Sequence, residues 1–208
     1  MTGVRLILKV RRSASLLAVL LAVAVIARAI GSRGFLVGDQ TPVPLPWAAV
    51  LPVICAYAVA SSAESPMPLA EHQAARRMAM VQLTYLFAAA LVAAALIAWA
   101  TAPLTGTVTM IGALRNYLGL LGLSLLGIAL LGVGLGWAVP LACVGVGVIA
   151  GGLPVHPVVI DWLIRQDRDL AAAGFAASLL VAGAIAFLAP ARTRQRATRT
   201  GASPEATG

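Results

Sequence analysis

Charge is scarce in this sequence. Only 11% of its 208 residues are charged and seven are acidic, where an average soluble domain carries about 25% charge. With 61% apolar residues and a mean hydropathy of +0.95, a water-soluble fold is excluded. Aromatic residues make up 5% of the chain and are not interleaved with basic ones. The excess of 15 Lys and Arg over 7 acids therefore does not read as a nucleic-acid surface. The two cysteines, Cys55 and Cys143, both fall in apolar blocks and imply no disulfide framework. The two histidines, His72 and His156, sit in separate loops and cannot build a zinc site. There is no Walker A loop, so any use of ATP must reside on another chain.

What the sequence does have is long apolar blocks, neither alternating nor heptad-spaced, which excludes an outer-membrane barrel and a coiled coil. A spanning helix needs about 20 residues. The blocks predict an all-α polytopic membrane protein with six transmembrane helices, at 13–30, 47–62, 78–102, 117–131, 137–152 and 170–189. Pro52 is expected to kink the second span near its outer end. Residues 31–46 read as a turn-rich loop. A basic N-terminal segment, 1–12, precedes the single transmembrane domain, 13–190, and a basic tail, 191–208, follows it. The cationic start and the small-x-small triplet Ala27-Arg28-Ala29 also have the shape of a signal peptide. The charges downstream fit better if this first helix is retained, with Arg28 snorkelling to the outer interface.

Eight of the fifteen basic residues lie in the two tails, which by the positive-inside rule places both termini in the cytoplasm. Residues 61–77 then lie inside with Arg76 and Arg77, and the loops around Asp39 and Asp161 lie outside. Trp162 is expected at headgroup level. Residues 68–77 read as a short cytoplasmic amphipathic helix, with Leu69, Ala70 and Ala74 apolar and Glu71, His72, Gln73, Arg76 and Arg77 polar.

Little in the spans can do chemistry. Gly122-Leu-Ser124-Leu-Leu-Gly127 approximates a nucleophile elbow with its second glycine displaced, and no histidine lies at membrane depth to serve it. Ser124 reads instead as a serine in a packed, glycine-rich helix. Glu71-His72-Gln-Ala-Ala-Arg76 departs from the Glu-Glu-x-x-x-Arg pattern of intramembrane metalloproteases at its second position. No carboxylate lies within a span, which argues against a proton- or sodium-coupled carrier. Arg115 with Asn116, just ahead of the fourth span, is the one polar pair that could reach membrane depth, and reads either as an outer-interface anchor or as a cavity-lining or gating group. Gly132-x-x-x-Gly136 and Gly147-x-x-x-Gly151 have the spacing of close helix contacts, and Gly119, Gly122 and Gly127 thin the fourth span. No cofactor or metal is expected.

The segment Ser62-Ala-Glu64-Ser-Pro66…Glu71…Ala75-Arg76-Arg77 resembles the coupling-helix loop of compact actinobacterial ABC-2-type ABC transporter permeases. Ala113-Leu-Arg115-Asn116-Tyr-Leu-Gly119-Leu-Leu-Gly122-Leu is similar to their fourth span, and Trp137-x-x-Pro140 to the start of their fifth. The resemblance covers most of the chain and implies a permease subunit in the bacterial plasma membrane, an exporter with no catalysis of its own. It further implies pairing with a second permease copy or homologue and docking of a separate ATP-binding cassette ATPase through Glu64, Leu69, Glu71, His72, Arg76 and Arg77. The other reading from the residues is a non-transport membrane protein with an assembly, immunity or anchoring role.

Overall fold

The computed structural model describes residues 13–30, 34–37, 43–46, 50–63, 75–102, 109–150, 162–163, 165 and 167–189. These form six helices and one small antiparallel ribbon: α1 (Ser13–Ile30), β1 (Gly34–Val37), β2 (Val43–Pro46), α2 (Pro52–Ser62), α3 (Ala75–Thr101), α4 (Met110–Leu131), α5 (Ala138–Ala150) and α6 (Leu170–Leu188). The fold is that of a helical membrane protein. Four helices, α1, α3, α4 and α6, are long and apolar enough to cross a bilayer.

Each expected span has a helix, but two of the six are short. At 1.5 Å rise per residue, the 11 residues of α2 reach about 17 Å and the 13 of α5 about 20 Å, less than a hydrocarbon core of about 30 Å. The local chemistry explains why. Pro52, expected to kink a longer span, instead occupies the first position of α2, where its missing N–H is not needed. At the other end Ser61 and Ser62 turn their hydroxyls back onto the carbonyls of Ala58 and Val59, and the helix stops. Helix α5 follows a glycine-rich turn and ends before Gly151-Gly152-Leu-Pro154.

The turn-rich loop expected between the first two spans contains the ribbon, in which Phe35 pairs with Leu45 and Leu36 with Pro44. Pro44 and Pro46 are compatible with it because a two-stranded ribbon leaves one edge of each strand without a partner. Residues 64–74, which hold most of the expected amphipathic helix, lie outside the described residues. Its last residues do not close a separate helix: Arg76 and Arg77 belong to the first turn of α3.

Helix α4 is the centre of the bundle. It packs most extensively on α6, and also on α2, α3 and α5, while α1 packs on α2 and α3. Some 61% of its span is buried, against 17–28% in the other three long helices. The hydroxyl of Tyr117 in α4 donates to the Ala90 carbonyl in α3 at 3.3 Å, consistent with antiparallel packing of these consecutive helices. Gly132 closes α4 with φ 79°, a left-handed conformation that costs glycine little. From there residues 132–137 turn tightly, with Gly136 N–H on the Gly132 carbonyl at 2.8 Å. Gly136 lies so close to α4 that a Cβ there would be 2.6 Å from Ile128 Cγ1. Gly132 and Gly136, spaced as for a helix–helix seam, therefore shape a turn instead.

Candidate functional site

The polar chemistry among the described residues gathers where α4 and α6 begin. Helix α4 starts after Thr109, whose N–H donates to Asp167 Oδ2 at 3.0 Å and whose hydroxyl donates to the same oxygen. A carboxylate from the segment ahead of α6 thus caps α4, supplying an acceptor that the first turn of a helix lacks and a charge that its dipole favours. Asp169 does the same for α6, with Oδ1 accepting from the N–H groups of Ala171 at 2.8 Å and Ala172 at 3.1 Å. Arg165 Nη1 donates to Asp169 Oδ2 at 3.1 Å. The hydrogen bond to Ala172, and then that from Arg165, hold the Asp169 carboxyl below its ordinary range.

Between one and two turns into α4 stand Arg115 and Asn116, at 6% and 0% exposure. A buried cation is expensive in a membrane unless main-chain carbonyls or counter-charges receive it. Here both do. Arg115 Nη2 donates to the carbonyls of Trp162 at 2.9 Å and Arg165 at 3.0 Å, and the carboxylates of Asp167 and Asp169 attract the guanidinium. Arg115 also donates to Asn116 Oδ1 from Nε and Nη2, at 3.3 and 3.2 Å. Asn116 Nδ2 in turn donates to the Leu163 carbonyl at 2.7 Å. The pair clamps Trp162, Leu163 and Arg165 against the start of α4.

The clamp sets Trp162 in the core. Its side chain is fully buried, edge-on to Phe175 of α6 at 6.0 Å between ring centroids. It lies against Gly119, where a Cβ would be 2.6 Å from Trp162 Cζ3. The Trp162 ring is thus packed inside the chain rather than facing outward: the Arg115 and Asn116 bonds draw its backbone inward, and Gly119 leaves room for the ring.

The structure brings Arg115 and Asn116 together as one unit. Arg76 and Arg77 lie in the first turn of α3, while Glu64, Leu69, Glu71 and His72 lie outside the described residues. The Ser124 hydroxyl is bonded to the Leu120 carbonyl one turn back, at 2.8 Å. Sequence reasoning missed the cap formed by Thr109 and Asp167. A threonine just ahead of an apolar run is a recognisable helix-start signal, but its partner 58 residues away has no local signature. What this arrangement does is position α4 and α6: Asp167 ties their beginnings together and Arg115 anchors the chain just ahead of α6. Among the described residues no group of three His, Cys, Asp or Glu side chains comes together to hold a metal. No protein-family model, curated protein or solved structure matches this chain.

Proposed function

We propose that this chain is the membrane-spanning permease subunit of an ABC-2-type ABC transporter, an exporter of the bacterial plasma membrane. Both termini face the cytoplasm, and the chain pairs with a second permease copy or homologue. It has no catalytic activity of its own, and a separate ATP-binding cassette ATPase drives it. The observation that carries the reading is the length of α3. Its 27 residues extend about 40 Å, roughly 10 Å more than a hydrocarbon core needs. The surplus is the amino-terminal end, with Arg76 and Arg77, continuous with the polar stretch from Ser61. A partner that grips this end acts on a rigid lever running through the membrane to Thr101.

The test is capture of an ATPase by the tagged full-length chain from its native membranes, followed by comparison with the Glu71→Ala/Arg76→Ala double variant. Capture that the double variant loses supports docking at this segment. Undiminished capture by the double variant overturns the docking assignment. If no ATP-binding cassette protein is captured, the second reading takes over: a non-transport assembly, immunity or anchoring subunit. One observation favours that alternative. The buried polar side chains of α4, Arg115, Asn116 and Ser124, are engaged within the chain itself, as a packing role requires.

A further inference from the structure

The ribbon between α1 and α2 has a composition that water does not suit. Its eight positions, Gly34-Phe-Leu-Val37 and Val43-Pro-Leu-Pro46, are all apolar, glycine or proline. Phe35 pairs with Leu45 and Val37 with Val43, which assigns these four to one face; Gly34, Leu36, Pro44 and Pro46 take the other. Neither face therefore holds a polar residue. A sheet covered by protein on one face alternates apolar with polar residues, and a lone two-stranded hairpin is marginally stable in water at best. Among the described residues neither strand packs extensively on a helix.

The backbone pattern narrows what surrounds the ribbon. Opposed residues of an antiparallel pair alternate between those that exchange two N–H···O bonds and those whose N–H and C=O groups point away from the partner strand. Proline has no N–H, so Leu36 with Pro44 and Gly34 with Pro46 are pairs of the second kind. The outward N–H positions of β2 are then residues 44 and 46, both proline, and this edge has no donor. A further strand on it would lack half of its hydrogen bonds. In an apolar surrounding the same lack is an advantage, because an N–H left without an acceptor there is costly.

The chain also fixes the level at which the ribbon stands. Helix α1 ends where Arg28, in its last turn, donates to the Trp99 carbonyl of α3 at 3.0 Å, and arginine and tryptophan at the ends of spanning helices mark the headgroup level. Three residues separate Ile30 from Gly34. At about 3.6 Å per residue, the ribbon begins within about 14 Å of the end of α1. In the sequence Arg33 stands directly before β1 and Trp47 directly after β2, the residue types that flank an interfacial segment.

We propose that β1 and β2 form an interfacial anchor, lying in the headgroup–acyl boundary with lipid against both faces. The bilayer is the occupant because a protein surface would cover one face and leave the other apolar face in water, and because an added strand on β2 would need the missing donors. The anchor depends only on the chain being a membrane protein, not on its being a permease.

A single environment-sensitive fluorescent label tests this in the full chain, reconstituted in phosphatidylcholine vesicles with Cys55 and Cys143 replaced by alanine. Leu36→Cys and Leu45→Cys place the label on the two faces in turn. Gln40→Cys, in the polar sequence Gly38-Asp-Gln-Thr41 between the strands, is the control. Both ribbon labels are expected to emit at shorter wavelength than the Gln40 label, to be quenched by phosphatidylcholine brominated on its upper acyl chain, and to resist iodide present on both sides of the vesicle. Iodide quenching of either ribbon label as strong as that at position 40 overturns the proposal, since that face is then in water. A ribbon label protected from both quenchers overturns it too, and assigns that face to a protein surface, in this chain or a second copy. Hydrogen exchange of the unaltered chain in the same vesicles needs no label: the amides of Phe35, Val37, Val43 and Leu45, which bond across the ribbon, should exchange slowly. Exchange there as fast as at residues 38–41 also overturns the anchor.

Discussion

Gly122 of α4 and Gly183 of α6 bring the two helix backbones into direct contact. A Cβ on Gly183 would collide with the Gly122 carbonyl, and a Cβ on Gly122 with the backbone of Leu179 and Leu180. In a bilayer the helices gain little from hiding apolar surface from one another, so close backbone approach through small residues supplies much of the packing. Gly183→Ala or Gly122→Ala must push α6 away from α4, the most buried of the four long helices. Each is expected to destabilise by about 1–3 kcal/mol, as overpacking does, read by unfolding in detergent. At Gly145 and Gly174 an added methyl group would meet nothing within 4 Å; alanine there should be neutral or should stabilise slightly, by about 0.5–1 kcal/mol. Equal losses at all four positions would rule out the seam.

The Arg115 clamp predicts a difference between removing charge and removing geometry. Arg115→Lys keeps a cation but lacks the planar fork that reaches the carbonyls of Trp162 and Arg165. Arg115→Lys and Asn116→Leu should each cost about 1–3 kcal/mol, because buried carbonyls lose their donors. Hydrogen exchange should rise at residues 162–169 first. If exchange rises uniformly along α4 instead, the clamp is not what holds this segment.

Thr109 and Asp167 form a cap across two elements. Thr109→Val and Asp167→Ala should each destabilise by about 0.5–2 kcal/mol, the range of a lost helix cap. The double variant should lose less than the sum, because the hydroxyl bond that Thr109→Val removes is one of the two bonds that Asp167→Ala removes. Strictly additive losses in a double-mutant cycle would contradict the pairing.

Asp169 makes the start of α6 sensitive to acid. Its carboxyl is held down by the Ala172 N–H and then by Arg165, so its contribution is complete above the ordinary value of 3.8. That contribution is lost as the pH falls through the lowered value of the folded protein. Exchange at Ala171 and Ala172 should therefore rise on acidification below that range. Asp169→Asn keeps a good capping side chain and should flatten the response; an unchanged acid response in that variant would assign it to another group.

Sidedness is tested by cysteine labelling in a background where Cys55 and Cys143 are replaced by alanine. A probe at Ser65 and a probe at Val155 should react from opposite faces. The contacts already relate the helix ends to one another: α1 and α3 end together at Arg28 and Trp99, and α4 and α6 begin together at Thr109 and Asp167. Labelling of both probes from the same face would contradict six crossings and the proposed orientation.

Membrane character and the approximate place of each described helix were determined by the sequence alone, because apolar composition and helix-stop signals are local properties. Residues 170–189 predict α6 almost to the residue, and Arg115 with Asn116 stands out as a polar pair without any structure, although the span expected to begin after it, at 117, belongs to a helix that begins at Met110. Only the tertiary structure decided that Trp162 lies in the core, that α4 is the central helix, and that Arg115 has carbonyl partners about fifty residues away. It also decided that Gly183, which no spacing marks, meets Gly122. The reason is physical. In water, a helix shows its core side by being polar on the other. In lipid the surroundings are as apolar as the interior, so helices apolar on every side carry no mark of the face they will pack.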